Sequence, residues 1–142
     1  MKRVHYLKYL LVYIVPAVVI FSLSSTGIWT FSAFIVLFGV LPFFELFTKG
    51  STENMTKAEE DIALKNITYD LLIYSLVPIQ YFIVVYYLFS INDENLSFVS
   101  KQGMTIALGL SCGILGINAA HELGHRSTWY EQLMSKMLLL TS

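Results

Sequence analysis

Four long apolar segments, parted by polar links, decide what this chain can become. They run over residues of about 6–23, 27–47, 69–91 and 104–120. At 1.5 Å per residue, each crosses or nearly crosses a hydrocarbon layer of about 30 Å. Lipid offers no partner to backbone N–H and C=O groups, so segments of this length must be helices. The alternating ten-residue pattern of a membrane β-barrel does not occur in the sequence. The expected fold class is therefore all-α: a polytopic membrane helix bundle with about four transmembrane helices.

Composition agrees with that reading. Charged residues make up 13% of the chain and apolar residues 56%, with mean hydropathy +0.63, whereas a soluble domain carries about 25% charge. The basic start, Lys2 and Arg3, has the look of a signal peptide. The apolar part that follows is as long as a span, and a second span comes at once, so a retained helix is expected. The one cysteine, Cys112, lies in an apolar run. It excludes a disulfide framework within the chain and any cysteine-based zinc or iron–sulfur site, and reads as a packing residue.

The net charge of −1 says little, but its distribution is informative. Lys2, Arg3, Lys8, Lys49, Lys57, Lys65, Arg126 and Lys136 all fall on one side of the four spans, and Lys101 on the other. The positive-inside rule makes the first side cytoplasmic, with the N-terminus inside. The link "SSTG" closes an antiparallel hairpin between the first two spans. In the long link 48–68, "KAEEDIALKN" can lie on the membrane surface as an amphipathic helix. Pro16, Pro42 and Pro78 are tolerated in or near spans as kinks. Gly109, Gly113, Gly116 and Ala120 are spaced to share one face of the fourth span, which marks it as an inner helix open to close approach.

That fourth span ends in "NAAHELGHR", residues 118–126. Residues four apart on a helix face the same way, so His121 and His125 can direct two imidazoles into one metal site. Asn118, one turn earlier, can hydrogen-bond a ligand's second ring nitrogen and fix its tautomer. Glu122 points elsewhere on the helix, and Gly124 leaves room for a neighbour. His5 stands alone among basic residues and reads as solvated. Ionisable groups at a membrane helix end usually have a partner or a task. A pair of interfacial histidines binding nothing is the plain alternative.

Two metal readings compete. His-Glu-x-x-His on a helix is the zinc metalloprotease pattern, with the glutamate as general base. That enzyme needs a third ligand. Glu131 is the one charged oxygen donor downstream, and its spacing fits poorly. A non-catalytic membrane subunit, whose histidines hold haem or nothing, is a third reading. The second metal reading is a histidine-rich pair of irons. "NAAHELGHR" resembles the first histidine box (121–125 here) of the integral-membrane alkane 1-monooxygenases, which are related to fatty-acid desaturases. "LVYIVPA", "GVLPFFELF" and "LVPIQYFIVVYYL" are similar to that family's first three spans, in order. "HRSTWYEQLMSKMLL" is similar to the segment after its box.

The resemblance runs along essentially all of residues 1–142, which it makes an incomplete hydroxylase/desaturase-like domain. It implies that His121 and His125 are iron ligands, supported by Asn118, Glu122 and an acid near the end of the second span, Glu45. It implies two iron ions, completed by histidines not in this sequence, with O2 as co-substrate. Electrons would come from rubredoxin and its reductase, and the terminal methyl of an alkane or related alkyl chain would become an alcohol. No nucleic-acid partner is implied. The expected location is the inner (plasma) membrane, with the metal site toward the cytoplasm. The chain is expected to be a piece of a longer protein and inactive alone.

Overall fold

A computed structural model describes residues 11–47 and 67–142. His5, the surface helix expected in "KAEEDIALKN", and the basic residues Lys2, Arg3, Lys8, Lys49, Lys57 and Lys65 lie outside the described residues. Within them the chain is all helix and turn, as expected of a membrane bundle. We number the helices α1 (Leu11–Leu23), α2 (27–47), α3 (Ile67–Ser90), α4 (Phe98–Gly124) and α5 (Trp129–Leu139). Three of them are long and apolar enough to cross a membrane, over Gly27–Phe44, Asp70–Ser90 and Phe98–Gly124, and α1 is a shorter apolar helix.

The start of α4 differs from the sequence reading. The helix begins at Phe98, not near Met104, because Ser97 caps it: the Ser97 hydroxyl accepts the Ser100 N–H at 3.2 Å. Such a cap satisfies an orphan donor of the first turn. At its other end α4 carries straight on into the histidine motif. Two stretches widen into π-helical turns, Val36–Val40 in α2 and Cys112–Ile117 in α4. The first precedes Pro42, whose ring cannot sit against the carbonyl four residues back in a regular α-helix, so the turn opens. The second brackets Gly113 and Gly116.

The π turn in α4 also changes which small residues meet a neighbour. On an unbroken helix Gly109 and Gly113 would share a face with Gly116 and Ala120. Here Gly109 and Gly113 are exposed, with nothing close among the described residues, while Gly116 and Ala120 are buried. The buried face instead runs through Gly103, Met104, Ala107, Ser111, Leu115, Gly116, Ala119, Ala120 and Leu123. Of the three candidate spans, α4 is 44% buried, against 17% and 22% for the others. It is therefore the central helix, as the sequence suggested, although by a different face.

The helices alternate in direction. At one end, Gly27 N–H donates to Ser100 Oγ at 2.8 Å, and the Ser24 and Tyr86 hydroxyls bond at 3.0 Å. This gathers the end of α1, the start of α2, the end of α3 and the start of α4. Next to it, a Cβ on Gly103 would fall 2.0 Å from Thr30 Oγ1, so only glycine allows this crossing. At the other end, the hydroxyls of Tyr13 and Ser75 bond at 2.5 Å, joining the starts of α1 and α3 beside the end of α4. Exposed Trp29 and Trp129 stand at the two opposite ends, as amphipathic indoles do at the two faces of a bilayer.

Between the ends the core is apolar except for one polar seam. Gln80 of α3 is fully buried; its carbonyl accepts from Ser111 Oγ at 2.7 Å, and its amide donates to Cys112 Sγ at 3.4 Å. A mid-span amide without such partners would cost several kcal/mol, about 2–7. In the run Tyr81–Phe89, Phe82, Val85, Leu88 and Phe89 are exposed, while Tyr81, Tyr86 and Tyr87 pack against the core. These aromatics therefore face outward or pack between helices.

Candidate metal centre

The last turn of α4 places the motif. His121 and His125 lie one turn apart, and both are exposed. Their rings stand nearly perpendicular, with centroids 4.5 Å apart, and their Nε2 atoms are 3.1 Å apart. Two nitrogens bound to one metal at about 2.1 Å each, at angles between octahedral and tetrahedral, stand about 3.0–3.4 Å apart. That spacing is compatible with two adjacent positions on a single ion, and without one it is a hydrogen bond from one ring to the other. Imidazole suits iron and zinc alike, so ligand type alone does not choose between them.

Among the described residues no third histidine, cysteine, aspartate or glutamate joins the pair to form a metal-holding cluster. The other expected residues are placed as follows. Asn118 is exposed, and its Nδ2 donates to the Ile114 carbonyl at 2.9 Å, one turn back along its own helix. Glu122 is exposed and turned to Arg126, its carboxylate 4.0 Å from the guanidinium. Glu45 falls within α2, and its side chain is outside what the structure describes.

Beside the histidines lies a cluster that the sequence did not announce. Arg126 Nη1 donates to Asp70 Oδ1 of α3 at 2.5 Å and to Glu131 Oε1 of α5 at 2.8 Å. Glu131, 4% exposed, also accepts from Tyr74 Oη at 2.5 Å and from the Thr128 hydroxyl. Burial pushes the Glu131 carboxyl up, but hydrogen bonds from Thr128, Tyr74 and Arg126, with the Arg126 charge, outweigh it and hold it below the ordinary value. Burial likewise works against the Arg126 charge, and Asp70 and Glu131 more than restore it. Glu131, the one downstream candidate for a third zinc ligand, is fully engaged here.

One sign of this cluster was visible: Asp70 and Tyr74 sit four apart at the start of an apolar helix, and an acid there needs a partner. The Gly124 expectation is met in detail. A Cβ on it would lie 3.1 Å from Ser135 Oγ, and that hydroxyl donates to the Ala120 carbonyl at 2.6 Å. The glycine lets α5 fold back tightly along α4.

Fold and site together define a class: a multi-pass helical membrane protein with an imidazole pair at the end of its central span. Within that class the chain is similar to alkane 1-monooxygenases. It is 28% identical to the alkane 1-monooxygenase of Acinetobacter baylyi over 75% of its length. It is 24% identical to alkane 1-monooxygenase 1 of Alcanivorax borkumensis, and 25% to the enzyme of Pseudomonas putida, each over 87% of its length. The chain spans 26–31% of the length of these relatives. No family model matches it.

Proposed function

We propose that this chain is part of a membrane di-iron monooxygenase that hydroxylates the terminal methyl of alkanes or related alkyl chains. The observation that carries the reading is the similarity to enzymes named alkane 1-monooxygenase along most of the chain. The imidazole pair supports it, because its spacing suits two neighbouring donors on one metal. His121 and His125 hold one corner of the iron site, and histidines from outside this sequence complete it. When bound, the metals supply dioxygen activation. The residues of this chain orient the two donors and hold them at a helix end.

The location follows the chemistry. Alkanes partition into the bilayer, so a site at the end of a bundle of apolar helices receives them from lipid. The excess of basic residues at that end supports a cytoplasmic-facing site, and with it our reading of an inner-membrane enzyme. Rubredoxin, fed by its reductase, can deliver electrons there. Asn118, Glu122 and Glu45 are assigned supporting roles around the ligands.

Metal analysis of the full-length protein tests the reading. We expect about two irons per chain, loss of iron in His121→Ala or His125→Ala, and conversion of alkanes to primary alcohols. One tightly held zinc, with peptide cleavage abolished by Glu122→Gln, would replace it with the protease. A protein that holds no metal, or haem alone, would replace it with the non-catalytic subunit.

A further inference from the structure

A ligand pair one turn apart keeps its geometry only while that turn is intact. His125 is the residue that ends α4: its N–H still reaches the His121 carbonyl, at 3.3 Å, and Arg126 N–H reaches only Leu123, at 3.2 Å. The second imidazole therefore hangs on the part of a helix that frays most readily, where the regular ladder of bonds four residues apart runs out. A frayed turn would separate the two rings and dissolve the donor pair.

Three contacts oppose fraying, and they converge on Arg126. Its guanidinium spans from Asp70 on α3 to Glu131 on α5. Glu131 is fastened in turn by Tyr74, one turn beyond Asp70 on α3, and by Thr128 in the link to α5. Glu122, one turn back on α4, faces the same guanidinium at 4.0 Å. The residue next to His125 is thus tied to two other helices. A cation at this point also complements the negative end of the α4 dipole. Both short bonds come from one nitrogen, Nη1, so a lysine ammonium reaching the same point would keep part of the bridge and lose the second nitrogen that faces Glu122.

We propose that Arg126 is a positioning residue for the imidazole pair. By bridging Asp70 and Glu131 it locks the last turn of α4 and so sets the angle and spacing at which His121 and His125 meet a metal. The inference rests on the metal reading of those histidines. It extends that reading to a residue that never touches the metal, and names α3 and α5 as the supports of a site borne on α4.

Cobalt(II) titration of the full-length protein in detergent, followed by its ligand-field absorption, tests this without relying on turnover. The unsubstituted protein, Arg126→Gln, Arg126→Lys, Asp70→Asn and His125→Ala are compared well below their unfolding temperatures. We expect Arg126→Gln to weaken binding about tenfold or more and to shift the band, as loss of an outer support typically does. Arg126→Lys should recover part of the affinity, and Asp70→Asn should shift the band in the same direction as Arg126→Gln. If Arg126→Gln does not fold, Arg126→Lys and Asp70→Asn decide instead. Folded variants with unchanged affinity and band, even if less heat-stable, would reduce the cluster to a structural tie and overturn the inference. An unsubstituted protein that binds no cobalt would sink the metal reading itself, and this inference with it.

Discussion

The two ends of the bundle are fastened by different chemistry. At the end holding Gly27 and Ser100, the ties are neutral: hydroxyls on backbone groups, a capped helix start, and a glycine crossing too tight for any side chain. At the histidine end ionic ties are added to neutral ones such as Tyr13–Ser75, with Arg126, Asp70 and Glu131 meeting beside two exposed imidazoles. Neutral small-residue contacts suit a seam whose one task is to hold. Charges near a membrane surface are costly to keep, and at this end they are kept in contact with one another.

Substitutions can break that contrast. The largest effect is expected from His121→Ala or His125→Ala: metal binding should be lost while the thermal unfolding of the metal-free protein scarcely moves, since both rings are exposed. The reverse is expected of Gly103→Val. A side chain driven into Thr30 and Phe31 should cost about 3 kcal/mol or more, read by denaturant or thermal unfolding, with the motif itself untouched. Glu131→Gln should cost about 2 kcal/mol, less than a deeply buried pair, because Arg126 and Asp70 keep some access to solvent.

The pH dependence sharpens the comparison further. Glu131 is held below its ordinary value of 4.5, so its contribution is complete above that value and disappears as pH falls through the lowered one. The unfolding temperature should be level down to about pH 5 and drop below about pH 4, and Glu131→Gln should flatten that drop. Ser100→Ala, at the neutral end, should cost about 1 kcal/mol with no pH dependence. The smallest effect is expected from Glu122→Gln: an exposed carboxylate 4.0 Å from its partner contributes about 0.5 kcal/mol or less.

Much of the scaffold was legible because its signal is local. An apolar run long enough to span lipid has one solution, and α2 and α3 lie close to where those runs predict. The start of α4 was misplaced because Ser100, Lys101 and Gln102 read as loop, although Ser97 carried the capping signal. The face of α4 was misjudged because spacing counts assume 3.6 residues per turn, and the π turn over Cys112–Ile117 breaks that count. At the site, the pairing of His121 with His125 was readable for the same local reason. The bridge from Arg126 to Asp70 was not, since it joins residues 56 apart that only the packing of α3 against α4 and α5 brings together. Nor could spacing foresee that the Asn118 amide would bond its own helix.

The crossing at Gly103 reaches further than its own neighbourhood. From that pin α4 runs about 27 Å to the imidazoles, through the π turn over Cys112–Ile117 and on to the tip that Arg126 fastens. The central helix is thus anchored twice, by close packing at one end and by ion pairs at the other. A side chain added at the first anchor should loosen the scaffold while the second still holds the imidazole pair.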